Sequence, residues 1–297
     1  MLTTLRELLE QAQKEERGVG SFTCANMEMV MGTIRAAQEE KTPVILQIAE
    51  GRLRNTPLDY IGPLMVQAAK DAAVPICVHL DHGLTLEKIE EALSYGFTSI
   101  MMDGSRLPLS ENIRVTNAAA EMARRYGASI EAELGSVGGA EATDEVEQIA
   151  YTEVKEAVRF AKEADIDALA VAIGNAHGHY TGTPKLNFER LKELQVAVPK
   201  PLVLHGGSGI TDDDFRRCIA NGIRKVNIAT ASLDALTEHA REYLSTEGSH
   251  NFYRLNDSMV EGVYQNVKHC IRVFNMGGRA VRVDSCKMPG IRQLSGA

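Results

Sequence analysis

Eight short apolar runs, spread along most of the chain, restrict its fold more than any other feature. They are VGSFTCA (19–25), VILQIA (44–49), ICVHLDH (76–82), SIMMDGS (99–105), SIEAELG (129–135), ALAVAIG (168–174), LVLHGG (202–207) and KVNIAT (225–230). Most are almost continuously apolar, the pattern of parallel strands covered by helices. Stretches with helical periodicity separate them, among them PLDYIGPLMVQAAKDA, TLEKIEEALSYG, TEVKEAVRFAKEAD and DDDFRRCIANG. Several of these open on Thr or Asp and close near Gly, as capped helices do. Eight such units in roughly 230 residues match an α/β fold of the (β/α)8 TIM-barrel type. A doubly wound open sheet is the competing architecture, but it more often carries a Gly-rich phosphate turn after its first strand, and VGSFTCANMEM is not one.

No linker or low-complexity segment interrupts the pattern, so residues 1–297 read as one domain, with a C-terminal helix and a less regular tail from about residue 256. The opening MLTTLRELLEQAQKEE is amphipathic, with Leu2, Leu5, Leu8 and Leu9 on one side. It lacks the apolar core of a signal peptide, and no run approaches the length of a membrane span. A formal charge of -8 argues against nucleic acid or an anionic membrane as partner, while leaving room for a locally positive pocket. The five cysteines are odd in number and form no CxxC pair, which is the usage expected in a reducing cytoplasm.

Barrel strands deliver their C-terminal ends to one mouth. His82, His177 and His205 fall at the ends of strands three, six and seven. Singly, each reads as a hydrogen-bonded surface histidine. Together they supply three neutral imidazoles with coordination positions left open, as a catalytic zinc requires. His79 lies within its strand and reads as core, whereas His179 competes with His177 as a ligand. Asp81 precedes His82. Strand alternation would send the pair to opposite faces, but the alternation relaxes at a strand end, so Asp81 is either a general acid/base at the mouth or a cap or histidine partner. Glu133 should end strand five. Gly135, Gly138 and Gly139 make the next loop supple, and Glu141 either swings in with it or sits on a solvated acidic loop. HGGSG and NIAT, after strands seven and eight, place small residues and the hydroxyls of Ser208 and Thr230 where this fold usually binds phosphate.

The segments LDHG, EAELGSVGG, GNAHGHY, LHGGSGI and KVNIAT, in this order over nearly the whole chain, resemble the class II, metal-dependent fructose- and tagatose-bisphosphate aldolases. The resemblance implies retro-aldol cleavage of a phosphorylated ketose to dihydroxyacetone phosphate and an aldehyde. It implies one zinc ion on His82, His177 and His205, with Asp81 handling the hydroxyl proton and Glu141 the carbanion carbon. Asp103 and Glu133 match acidic positions tied to metal movement or a second ion. Gly178, Gly206, Gly207, Ser208, Asn227 and Thr230, with Ile228 and Ala229 between the last two, match positions that hold the phosphorylated end, a monovalent cation often nearby. Asn26 matches an asparagine near the substrate carbonyl, and a homodimer or homotetramer is expected. Some positions depart from the family's pattern. Ala49 and Thr23 replace a common serine and asparagine, Thr181 and Gly182 stand where a lysine is frequent, and His179 replaces a small or apolar residue. These changes touch the substrate wall and leave the metal set and Asp81 intact, which points to a ketose phosphate other than fructose bisphosphate. Two other readings are a metal-dependent hydrolase on the same barrel and a non-catalytic sugar-phosphate-binding protein.

Overall fold

In the computed structural model, which describes residues 1–137, 151–180, 182, 184–246, 248 and 250–276, all eight runs are parallel strands of one closed barrel in sequence order. They are β1 (Val19–Thr23), β2 (Val44–Ala49), β3 (Ile76–Gly83), β4 (Ser99–Met102), β5 (Ser129–Leu134), β6 (Ala168–Val171), β7 (Leu202–Leu204) and β8 (Ile223–Ile228). β8 closes on β1 in a register running from Val19↔Lys225 to Phe22↔Ile228, so the open sheet is set aside. The described helices are α1 (Leu5–Glu15), α2 (Met27–Glu39), α3 (Leu58–Asp71), α4 (Leu86–Ser94), α5 (Leu109–Arg125), α6 (Val154–Glu163), α7 (Phe188–Ala197), α8 (Asp212–Ala220), α9 (Thr230–Leu244) and α10 (Phe252–Phe274). α10 is the extra C-terminal helix; it starts four residues before the expected position because Asn251 caps it, accepting from the N–H groups of Tyr253 and Arg254.

β4, β6 and β7 stop short of their apolar runs. Beyond them the backbone is held by side chains instead of a neighbouring strand. After β6, for example, the Ile173 N–H donates to Asn175 Oδ1 at 2.8 Å. These early exits form the loops of the mouth.

The lumen has two layers. At the bottom, Leu5, Leu8, Leu9 and Ala12 of α1 form one apolar cluster with Val19, Ile45, Cys77, Ala168, Ala170 and Val203 of the strands. The amphipathic N-terminal segment is thus a plug, started by a capping box in which Thr4 and Glu7 satisfy each other's backbone N–H. Burying each leucine contributes about 1.5–3 kcal/mol. One residue pair further along each strand, the inward positions turn polar: Ser21, Gln47, His79, Asp81, Ser99, Glu131, Lys225 and Asn227 are all buried. Such a layer is tolerated only where its members pair with one another. A larger apolar cluster fills the space between strands and helices. Among the described residues, no helix is long and apolar enough to cross a membrane.

Candidate active site

The alternation of β3 sends Cys77, His79 and Asp81 inward, and should send His82 out. His82 instead adopts φ 42°, and the β3–β4 register slips between Leu80 and Gly83. This bulge turns the His82 ring back over the mouth. Its Nδ1–H donates to Asp103 Oδ2 at 2.7 Å. Asp103, just past β4, is fixed in turn by the N–H of Ser105 at 3.1 Å and its hydroxyl at 2.6 Å, both on Oδ1. Asp81 is held on both oxygens, by Gln47 Nε2 at 3.0 Å and Asn227 Nδ2 at 3.0 Å. Gln47 is itself anchored by the Ser21 hydroxyl. Gln47 escaped the sequence reading; its inward position on β2, beside the Asp81-bearing strand, is the signal that could have found it.

His205 follows β7 directly. Its Nε2 lies 2.8 Å from Glu131 Oε1, and its Nδ1 lies 3.0 Å from His82 Nε2. His177 completes the group, its ring centroid 5.0 Å from that of His82 and 5.9 Å from that of His205. The ligand atoms of all three lie within 4.8 Å of one another. His82 and His205 each spend one ring nitrogen on a carboxylate, so their remaining lone pairs face each other. That arrangement is repulsive unless a positive charge, a proton or a metal ion, lies between them. Zinc–nitrogen bonds of about 2.0–2.1 Å in tetrahedral geometry place two ligand atoms about 3.3 Å apart, so the donor set fits such an ion. The electrostatics agree. Burial alone would lower His82, but the Asp81 charge and the bond to Asp103 outweigh it and hold His82 well above its ordinary pKa. Burial and the neighbouring His82 charge drive His205 well below its own. Asp103 is also buried, yet its bond to His82 holds it well below the usual carboxylate range.

His177 lies six residues past β6, so its loop has to be pinned. Asn175 Nδ2 donates to the His205 carbonyl at 3.0 Å. The Tyr180 hydroxyl accepts from the Ala176 N–H at 2.8 Å and donates to the Gly206 carbonyl at 2.9 Å. Neither residue was singled out from sequence. His179, the rival ligand, points away, its Nε2 3.5 Å from Asp234 Oδ2 on α9.

Two further acidic groupings surround the histidines. His82, Asp103 and Glu133 have ligand-like spacing, as do His79, Asp81 and Glu131. Asp103 and Glu133 therefore do meet, although here Asp103 orients His82. The second grouping is already engaged: Asp81 by two amides, Glu131 by Lys225 and His205, and His79 Nδ1 by Ser99 Oγ at 2.8 Å.

Beside Asp81 and His177 is a small cavity lined also by Gln47, Gly178, Gly206, Gly207, Ser208, Asn227, Ala229 and Thr230. α9 begins at Thr230, so the positive end of its dipole lies at this wall. Gly206 has φ 62°, and a Cβ there would stand 2.1 Å from the Ala176 carbonyl, so only glycine fits. Asn227 Oδ1 is buried without a hydrogen-bond partner. Two expected contributors stand apart from the cavity. The Ile228 side chain packs into the apolar layer, because it faces outward between the inward Asn227 and the mouth. Asn26 caps α2, its Oδ1 accepting from the Met29 N–H at 2.9 Å. Glu141, Gly138, Gly139 and Thr181 lie outside the described residues.

Converging imidazoles, an adjacent carboxylate and a glycine-lined cavity at the start of α9, all at the C-terminal mouth of a (β/α)8 barrel, define the class: a barrel enzyme with a candidate metal centre. The particular family follows from the chain as a whole. The family described as "Fructose-bisphosphate aldolase class-II" matches residues 3–279. A fructose-bisphosphate aldolase of Geobacillus stearothermophilus is 39% identical over 251 residues, which are 83% of this chain and 87% of the relative. A 6-phospho-5-dehydro-2-deoxy-D-gluconate aldolase of Halalkalibacterium halodurans is 36% identical over 286 residues, 94% of this chain and 98% of the relative. The crystal structure of the YdjI aldolase from Escherichia coli K12 superposes with a TM-score of 0.84 at 36% identity, covering 94% of this chain and all of that one. The chain belongs to the class II fructose-bisphosphate aldolase family and is an enzyme of the lyase type. The hydrolase and non-catalytic readings are set aside.

Proposed function

We propose that this aldolase carries out zinc-dependent retro-aldol cleavage of a phosphorylated ketose, releasing dihydroxyacetone phosphate and an aldehyde. The observation that carries the reading is the 3.0 Å approach of His82 Nε2 to His205 Nδ1, with Asp81 next in the chain. A zinc ion held by His82, His177 and His205 would polarise the substrate carbonyl and offset the negative charge left when the C3–C4 bond breaks. Asp81 takes the proton of the C4 hydroxyl as that carbon becomes the aldehyde. Its two amide donors, Gln47 and Asn227, keep it aimed for this. Glu141 returns a proton to C3, which completes dihydroxyacetone phosphate. The glycines at 178, 206 and 207, with Ser208, Asn227, Ala229, Thr230 and the start of α9, hold the phosphate, aided by a monovalent cation. Asn26 turns its amide to the substrate carbonyl while its oxygen caps α2. No lysine nucleophile is needed, and the lumen lysine, Lys225, is committed to Glu131 at 2.9 Å.

The substrate is a ketose phosphate that meets a wall altered at Thr23 and Ala49, while His179 turns to Asp234 on α9. Two relatives of similar identity bear the names of different substrates, so overall likeness does not select one. The reading includes a homodimer or homotetramer in a reducing cytoplasm. Cys24, Cys77, Cys218 and Cys270 are buried free thiols, pushed up to about 12 by burial.

The test is cleavage and condensation with purified protein, using dihydroxyacetone phosphate and a panel of aldehydes. Activity should vanish with a chelator, return with zinc, and survive borohydride without a trapped adduct. A covalent adduct with substrate, or turnover indifferent to metal removal, would overturn the proposal.

A further inference from the structure

Glu131 and Glu133 are the same residue type, two apart on β5 and so on the same inward face. They are nonetheless placed differently. Lys225 reaches across the lumen from β8 and sets its Nζ 2.9 Å from Glu131 Oε2 and 3.2 Å from Glu131 Oε1. Both side chains are fully buried. Glu131 Oε1 also lies 2.8 Å from His205 Nε2. Glu133 lies on the opposite side of the same ring, its Oε2 3.3 Å from His205 Nδ1.

We propose that the buried Lys225–Glu131 ion pair is the positioning device for His205, holding its ring as the Nε2–H tautomer so that Nδ1 is the atom offered to the metal. The proposal rests on the reading that His82, His177 and His205 hold that ion. Two physical steps support it. A carboxylate paired with a lysine has no proton to give, so the ring nitrogen facing Glu131 carries the hydrogen and the other carries the lone pair. The lysine also satisfies the charge of Glu131. His79 Nε2 and Asp81 Oδ1 lie 3.8 Å apart, and His79 Nε2 is 4.0 Å from Glu131 Oε2, so a divalent ion has ligands of suitable spacing one layer below the histidines. The Lys225 ammonium, 2.9 Å from Glu131 Oε2, already satisfies one carboxylate such an ion would need, and so favours a metal at the level of the mouth. Glu133 Oε2 lies on the Nδ1 side of His205, 3.3 Å from that nitrogen. Lys225 and Glu131 are thus positioning residues that act through His205.

The experiment uses the whole chain, labelled with 15N and stripped of metal. Long-range 1H–15N correlation should show His205 protonated at Nε2 and bare at Nδ1, and zinc addition should shift Nδ1. A His205 ring protonated at Nδ1, or zinc bound through Nε2, overturns the proposal. Two double variants test the device itself. Glu131→Gln with Lys225→Met removes both charges but keeps an oxygen acceptor for His205. Glu131→Leu with Lys225→Met removes the acceptor as well. In competition with a chromophoric chelator, the second should bind zinc about 10–100-fold more weakly than the first, the usual cost of losing the group that orients a ligating histidine. Equal zinc affinity in the two, with only the melting temperature different, would mean a purely structural pair and would sink the inference. If the leucine variant does not fold, the tautomer of the native protein decides alone. A native protein that binds no zinc would count against the metal reading itself, whereas zinc held with the wrong His205 nitrogen would count only against this role.

Discussion

Asp81 and His82 are consecutive residues, yet both side chains face the same mouth, because His82 takes φ 42° where the β3–β4 register slips. A non-glycine residue in this region costs about 1–2 kcal/mol. The bonds of His82 to Asp103 and of Asp81 to Gln47 and Asn227 hold it there. The local strain places a candidate acid/base and a candidate ligand on adjacent residues with no loop between them.

Replacing the candidate acid/base separates its proposed role from that of the candidate ligands. Asp81→Ala should lower turnover about 100- to 10,000-fold, the span of a general acid/base, while bound zinc per chain stays unchanged. Steady-state cleavage rates and metal analysis of the same sample check this. Near-native turnover would reject the assignment.

Asp103 orients His82 from outside the proposed ligand set. Asp103→Ala should weaken zinc binding about 10–100-fold, and excess zinc should restore much of the rate. Chelator competition reads the first effect and a zinc titration of activity the second. A variant with intact affinity would return Asp103 to the second-ion role.

The cradle has its own test. Gly206 and Gly127 both have positive φ, 62° and 71°, but a Cβ at Gly206 meets the Ala176 carbonyl while one at Gly127 meets nothing within 4 Å. Gly127→Ala should cost about 1 kcal/mol from backbone strain alone. Gly206→Ala should cost at least about 1 kcal/mol more, since it also moves the His177 loop, and should raise KM for the phosphorylated substrate. Denaturant melts and kinetics on both variants distinguish the outcomes; equal melts would contradict the steric argument.

At the bottom of the barrel, Asp167 receives Arg6 at 2.7 Å, Arg124 at 2.6 Å and the Ile130 N–H at 2.8 Å. Burial opposes its ionisation, but these donors prevail and hold it below its ordinary pKa. A depressed folded-state pKa stabilises the fold above the unfolded value, about 3.9, and that contribution is lost as pH falls through the folded value. Asp167→Asn should therefore lower stability by about 1–2 kcal/mol at pH 7, and its deficit should shrink as pH drops below about 4. Urea melts across this range check the sign; a deficit independent of pH would rule the linkage out.

Much of this was legible in the chain. Eight apolar runs gave eight strands because a strand covered on both faces needs apolar residues at nearly every position. The three histidines converged because barrel strands share one mouth, and His177 and not His179 joined them. Other contributors were not legible. Gln47, Asn175 and Tyr180 act through partners on other strands or loops, and only the inward position of Gln47 on β2 hints at its part. Lys225 and Glu131 lie 94 positions apart and meet only across the lumen. Asn26 sits beside the first strand as the family pattern leads one to expect, but its oxygen is taken by the helix it starts.

Local pattern is written in neighbouring residues, so periodicity, caps and strand-end motifs determined the barrel, its order and the candidates at its mouth. Which nitrogen of His205 faces Glu131, and the pairing of Glu131 with Lys225, depend on distances across a closed lumen. Those distances exist only once the eight strands have closed, and so they were decided by the tertiary structure alone.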